Sequence, residues 1–339
     1  MEAGKVTSDP RQDLLGLING FQITQAIRVA STLRIADHLN DGARSAAELA
    51  SLTKSHPDSL YRSLRALAAV GVFREEEGQR FLLTPMGDCL RTDSATPIGA
   101  WAEVVGSPYF WQAWGHLLHS VRTGENAFQN LNGLNVWQFR AEYPEHGATF
   151  DLAMTQLSGS SADPVIRAFD FSSIRHIVDV GGGQGLMLAA ILRAHPLMSG
   201  TLFDQPDVVG RAKEVLTERG VIDRCGIVAG SFFEGVPEGA DAYLMRVVIH
   251  DWEDENAIAI LKVCRRAMSE TAKLLLIERV IGPPNQLPAT KFTDLNMLVS
   301  PGGRERTYEE FLLLLAKSGF ELMHIFPAGI YNVIEARPR

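Results

Sequence analysis

Residues 178–185, Val-Asp-Val-Gly-Gly-Gly-Gln-Gly, constrain the chain more than any other stretch. Ile177 to Val180 reads as a buried strand and Leu186 to Leu192 as the helix it feeds, so the glycines fall on a strand-to-helix turn. In an open α/β sheet that turn is where ligands bind. Glycine at 181, 183 and 185 permits positive φ and removes the Cβ atoms that would hold a bulky ligand off the backbone. A dinucleotide fingerprint G-x-G-x-x-G opening at Gly181 needs glycine at 186, and that residue is Leu186. The strand carries an acid, Asp179, whose charge repels a pyrophosphate but suits an amino group beside a sulfonium. A second acid, Asp204, ends the next strand-like run and can accept hydrogen bonds from a ribose diol. These residues favour S-adenosylmethionine over a nicotinamide cofactor. The bland alternative is a structural glycine turn with two solvated acids.

Around this turn, strand-like and helical runs alternate from Ser173 onward. The strand-like runs are His176–Val180, Gly200–Phe203, Gly226–Ala229, Ala242–Val247, Lys273–Val280, Glu321–Phe326 and Asn332–Ala336. Helical spacing falls between them at Leu186–Ala194, Val208–Glu218, Glu255–Met268 and Tyr308–Ala316. The order predicts a mostly parallel seven-stranded α/β sheet with helices on both faces. The last two runs are too close for a parallel crossover, so they are expected as an antiparallel hairpin at the edge.

A chain of 339 residues is too long for one ordinary core. We expect a first domain over 1–100 and a second over 101–339, of which 101–165 is a helical region rich in aromatics. In the first, apolar residues recur at helical spacing from Leu14 to Leu39, and Asn40-Asp41-Gly42 breaks the pattern. Ser45-Ala-Ala-Glu48 is a capping box. His56-Pro57-Asp58 opens a further helix whose stripe is Leu60, Leu64, Leu67 and Val70. Gly71 ends it, and Val72-Phe73 and Arg80–Leu83 flank a glutamate-rich turn as a hairpin. Helix, turn, helix and hairpin in this order read as winged-helix-like.

Such a motif suggests DNA binding, but the hairpin tip carries Glu75, Glu76 and Glu77 where a phosphate-contacting wing wants lysine or arginine. A structural or dimerising role fits better. The whole chain, with 32 basic and 40 acidic residues, gains no counterion release on nucleic acid or an anionic membrane. No apolar run approaches spanning length and no secretory h-region precedes the first helix, so a cytoplasmic protein is expected. Cys89, Cys225 and Cys264 are widely spaced and suggest neither a disulfide framework nor a zinc knuckle.

Chemistry is expected after the fourth strand of the sheet. Arg246-Val-Val-Ile-His250-Asp251-Trp252 places His250 at a carboxyl end beside the turn crevice, and histidine is suited to proton removal near neutral pH. Glu278, closing the fifth strand, and Glu305, in the loop Pro301-Gly-Gly-Arg-Glu-Arg306, reach the same rim. A carboxylate beside the imidazole fixes its tautomer and stabilises the imidazolium. His250 as a residue hydrogen-bonded to backbone before a helix is the open alternative. Asp251, Asp254 and Glu255 resemble a magnesium cluster, but at a helix start they are better read as capping and dipole complementarity. No metal is expected.

Asp179-Val-Gly-Gly-Gly-Gln-Gly185, Phe203-Asp-Gln-Pro206, Gly230-Ser-Phe-Phe233, Arg246–Trp252 and Pro301-Gly-Gly-Arg-Glu-Arg-Thr307 together resemble the S-adenosylmethionine-dependent O-methyltransferases of the plant caffeic-acid and bacterial polyketide or phenazine type. The resemblance spans nearly the whole chain. It implies a Rossmann-like class I methyltransferase domain, an N-terminal winged-helix-like dimerisation domain and a homodimer. It implies His250 as general base on an aromatic hydroxyl, flanked by Glu278 and Glu305. For the cofactor it implies Asp179, Gly181, Gly183 and Gly185 at the methionine part, Asp204 at the ribose, Ser231 and Phe232 near the adenine, and Arg246 as an anchor. Phe150 and Met154 match pocket positions, and Asp294 and Asn296 are expected to face the aromatic substrate. Ser231 departs from the family's acidic residue, which puts cofactor affinity in doubt. Two rivals remain: a non-methylating hydroxylase or pericyclase on the same fold and cofactor, and a metabolite-sensing winged-helix DNA-binding regulator.

Overall fold

The computed structural model describes residues 9–159 and 162–339, and the chain divides into two compact units with the boundary after Trp111. Each is built around its own core.

In the first unit a helix, Pro10–Thr32, starts at Asp9, whose side chain accepts from the Arg11 N–H at 3.0 Å. The apolar spacing that continues to Leu39 is interrupted at Arg34, which is left-handed at φ 51°, and a short helix Ile35–His38 follows. The Ser45–Glu48 capping box is present, with both reciprocal bonds, at the head of Ala46–Thr53. Helix Pro57–Ala69 buries Leu60, Leu64 and Leu67. Val70, expected in that stripe, is instead exposed: it is the residue that caps the helix, past the last turn that faces the core. Strands β1 (Arg44–Ser45), β2 (Phe73–Glu76) and β3 (Arg80–Leu83) form an antiparallel sheet in the order β1-β3-β2. Leu14, Leu17, Ile18 and Phe21 leave an apolar stretch of the long helix exposed.

The second unit holds seven strands: β4 (His176–Val180), β5 (Ser199–Asp204), β6 (Cys225–Ala229), β7 (Ala242–Arg246), β8 (Lys273–Glu278), β9 (Phe320–Ala328) and β10 (Tyr331–Pro338). Their order is β6-β5-β4-β7-β8-β10-β9. The first five are parallel, and β10 runs antiparallel to both β8 and β9, the expected edge hairpin. β4, β7 and β8 are buried along nearly their whole length, as strands covered on both faces must be. The chain leaves β4 toward β5 and β6, then returns to lay β7 on its other side. Connections after β4 and β7 thus diverge and open a crevice at their carboxyl ends.

Two helical details differ from expectation. The run Val208–Glu218 is split into Pro206–Val209 and Ala212–Glu218 around Gly210-Arg211. A helix over Pro288–Val299 was not foreseen, because its polar Thr293, Asp294 and Asn296 blur the apolar period. Among the described residues no helix is long and apolar enough to cross a membrane.

Candidate active site

At the end of β4 the backbone turns with φ of 71° at Gly181, 62° at Gly183 and 82° at Gly185, so all three glycines named from the sequence are in the left-handed region. A Cβ on Gly181 would lie 2.8 Å from Cγ2 of Val248 and 3.7 Å from the Phe232 ring, which shows how closely this bend faces the segment after β7. Gly185 then caps the helix Leu186–Ala194.

Asp179 is fully buried, and no hydrogen bond from the described residues meets either of its oxygens; the Leu188 N–H lies near but outside bonding geometry. Burial first, then the charge of Asp204, push its carboxyl up to about 7 against the pull of Arg246. A buried acid of this kind is an acceptor held ready for a cationic donor group. Asp204 takes the Gly183 N–H on Oδ2 at 2.8 Å and the Gln205 N–H on Oδ1 at 2.7 Å. Each oxygen keeps a second lone pair for a diol. Ser231 spends its Oγ on the Phe233 N–H at 3.3 Å, while Phe232 stands edge-on to Trp252 at 6.0 Å. Arg246, at the end of β7, lies over the Tyr331 ring.

The second half of the crevice is assembled from three segments. β7 is followed by Val247, strained at φ 56°, and the chain enters a 3-10 turn, Ile249–Asp251. Glu278, the last residue of β8, accepts the N–H groups of Val248 and Ile249 on Oε1 at 3.1 and 2.9 Å, which fixes that turn. Within the turn, buried His250 has Nδ1 3.0 Å from Glu305 Oε1 and 4.0 Å from Glu278 Oε2. Nε2 is 3.4 Å from Asp251 Oδ1. The three side chains expected to form the catalytic group are thus together.

The loop supplying Glu305 is locked onto the turn. A side chain at Gly303 would collide with the His250 carbonyl and the Asp251–Trp252 backbone, and the Arg304 N–H donates to the His250 carbonyl at 2.9 Å. Arg306, almost fully buried, donates to the Ile249 carbonyl at 3.1 Å, the Trp252 carbonyl at 2.8 Å and Asp254 Oδ1 at 2.9 Å. Asp294 Oδ1 accepts the Glu305 N–H at 3.0 Å. Asn296 Oδ1 accepts from the Trp114 indole at 3.2 Å. Asp294 and Asn296, expected to face substrate, therefore both have partners inside the fold, and Asp294 bears on the site through Glu305.

Electrostatically the cluster sets one buried imidazole against the carboxyl groups around it. Burial disfavours the charged imidazole, but Asp251, Glu278 and Glu305 outweigh it and push His250 up to about 9. Burial pushes Glu278 up to about 7 and Asp251 to about 6, each against the pull of His250. Groups this close titrate as a unit. Asp251 departs from the capping role assigned to it: it lies one turn before the helix Asp254–Ala267, whose N-cap is Glu253, and it faces His250 instead. Asp254 and Glu255 do occupy the first turn of that helix.

Farther out, Phe150 sits edge-on to Trp137 at 6.0 Å, and the Arg140 guanidinium covers its ring at 3.4 Å from the centroid. That cation occupies one face of the ring. Met154, one turn on, is half-buried. Arg140, Gly303 and Arg306 are functional neighbours that sequence reasoning alone does not single out. The Gly-Gly pair and the Arg306 that follows Glu305 were the available signals for the last two.

A seven-stranded sheet with this switch-point bend and a histidine–carboxylate cluster beside it defines a class, and comparison with known proteins gives the family. The O-methyltransferase domain family matches residues 114–321, and the O-methyltransferase dimerisation domain matches residues 15–93. The chain belongs to this O-methyltransferase family. It is 40% identical to the phenazine O-methyltransferase PhzM of Lysobacter antibioticus over 326 residues, 96% of this chain and 95% of that protein. The solved structure of LaPhzM superposes with a TM-score of 0.94 at 39% identity, covering 98% of this chain and all of that one. The O-methyltransferase NcsB1 of neocarzinostatin biosynthesis, solved with S-adenosylmethionine and 2-hydroxy-5-methyl naphthoic acid, is 35% identical with a TM-score of 0.81. That match covers 94% of this chain and 96% of NcsB1.

Proposed function

We propose that the chain methylates a hydroxyl of an aromatic small molecule of the secondary-metabolite type, with S-adenosylmethionine as donor and His250 as general base. The observation that carries this reading is the 3.0 Å contact of His250 Nδ1 with Glu305, which points Nε2 away from its orienting carboxylate. With Nδ1–H donating to Glu305, Nε2 is the atom that exchanges a proton with the acceptor oxygen.

The bend fits the cofactor. Buried Asp179 supports an amino group, Gly181, Gly183 and Gly185 leave room for the methionine part, and Asp204 has lone pairs for the ribose. Ser231 and Phe232 border the adenine, with Arg246 as an anchor beside Asp179. When bound, the cofactor supplies an electrophilic methyl and a positive charge. The protein's main task is alignment, which can lower a barrier by roughly 7–11 kcal/mol. Removal of the hydroxyl proton by His250 adds about 10²–10⁴-fold. Glu278 holds the turn, Glu305 holds the ring, and Phe150 and Met154 wall the acceptor pocket. The residues of 1–100 form a winged-helix-like dimerising domain, and Leu14, Leu17, Ile18 and Phe21 are suited to burial in a homodimer. No nucleic-acid or membrane partner is proposed, and the compartment is the cytoplasm.

Incubating the protein with methyl-labelled S-adenosylmethionine and a panel of planar hydroxyarenes tests the reading through label transfer and product mass. His250→Ala is expected to keep cofactor uptake and lose about 10²-fold or more in turnover, most for weakly acidic phenols. A product heavier by one oxygen and carrying no label would replace it with hydroxylation. Equal turnover of the variant across the phenol series would remove the base assignment.

A further inference from the structure

The residue after Glu278 is a cation with no part in the reading so far. Arg279 Nη1 lies 3.6 Å from Glu305 Oε1, the same oxygen that meets His250 Nδ1 at 3.0 Å. Its guanidinium is held in place: Nη2 donates to the Tyr331 hydroxyl at 3.4 Å, and the group lies over the Tyr331 ring at 4.7 Å from the centroid. Tyr331 is buried at the start of β10, and Arg246 lies against the same ring at 5.2 Å. One tyrosine thus fixes two guanidinium groups beside the cluster.

We propose that Arg279 is a positioning residue of the proton-transfer site: by sharing Glu305 Oε1 with His250, it sets the pH at which the imidazole releases its proton. The proposal rests on His250 being the base. A carboxylate oxygen divided between two cations holds each less tightly than it would hold one, and a nearby positive charge disfavours the imidazolium. The charges facing His250 otherwise hold the proton on. Asp251 faces Nε2 from the 3-10 turn, Glu278 faces Nδ1 from β8, and Glu305 faces it from the 301–306 loop. Arg140 acts on Asp251 and Arg246 on Glu278, each one group removed from the ring. Arg279 touches an atom that the imidazole itself uses. Without it, the base would stay loaded to higher pH.

The test is kcat/KM against pH, from about pH 6 to about pH 10, for the natural protein, Arg279→Met, Arg279→Lys and Tyr331→Phe, each checked for cofactor uptake and thermal melting. In Arg279→Met the rising limb is expected to move up by about one unit, a loss near 10-fold on the acid side that shrinks to less than about 3-fold on the plateau. Arg279→Lys restores the limb, and Tyr331→Phe, which frees Nη2, moves it in the same direction by less. A loss in Arg279→Met that is equal at every pH, or a limb that moves down, overturns the proposal. If Arg279→Met does not fold, an unmoved limb in Tyr331→Phe overturns it instead. Unchanged turnover in His250→Ala removes the base itself, whereas a dead His250→Ala with an unmoved Arg279→Met limb removes only the role of Arg279.

Discussion

The glycine bend after β4 and the histidine cluster after β7 sit at the ends of adjacent strands, yet they are built in opposite ways. The bend is local. Asp179 to Gly185 lie within one turn, Asp204 joins from the neighbouring strand, and backbone shape does most of the work. The cluster is assembled at long range: His250, Glu278 and Glu305 come from three segments and meet because Glu278 and Arg306 grip the same 3-10 turn from two sides. A local site fails when its own charge or shape is altered. An assembled site fails when a docking contact far from the reacting atom is lost.

The sharpest way to break that contrast is Gly303→Ala. Its Cβ has no space against the His250 carbonyl, so the 301–306 loop must lift. The expected cost is about 2–3 kcal/mol of stability, read by thermal melting, together with a loss of turnover of about 100-fold. Cofactor uptake by calorimetry should change little. An equal loss of both would mean that the two regions are one unit.

Asp179→Asn probes the bend alone. Cofactor affinity is expected to fall by about 10–100-fold through loss of a charge-assisted bond. Stability should move the other way. The Asp179 carboxyl is raised to about 7, so the folded state keeps its proton more tightly than the unfolded chain. Its favourable contribution is complete at low pH and is lost as pH rises through about 7. At pH values above that, cofactor-free Asp179→Asn should be the more stable protein by about 1–2 kcal/mol, and the gap should close in acid. A smaller effect is expected at Ser231→Asp, where a carboxylate replaces a hydroxyl that now caps the Phe233 N–H. A tightening of cofactor binding by about 5-fold would show that the adenine side is under-recognised in this chain.

The same contrast decides what could be read from the sequence. All seven strands, the edge hairpin and the bend were legible because alternating apolar runs and a glycine-marked turn are local signals. His250, Glu278 and Glu305 were legible as candidates because strand ends place them at one rim. Their mutual orientation was not, since it depends on Gly303, Arg306 and the strained Val247, whose effects appear only when distant segments dock. Asp251 was read as a helix cap because it precedes acidic Asp254 and Glu255, and only the 3-10 turn reveals that it faces the imidazole. The helix that carries Asp294 has no clear apolar period, so the bond of Asp294 Oδ1 to the Glu305 N–H is not legible from the sequence.

β10 slots between β8 and β9, with Tyr331 at its start beneath Arg246 and Arg279. The strand that carries this ring thus follows both the glycine bend and the histidine turn in chain order. The glycine bend can form while translation is still under way, but the histidine cluster cannot be braced until residues 331–338 have emerged. A nascent chain cut short before Tyr331 would hold the residues of the bend and of the histidine turn but lack the ring over which Arg246 and Arg279 lie.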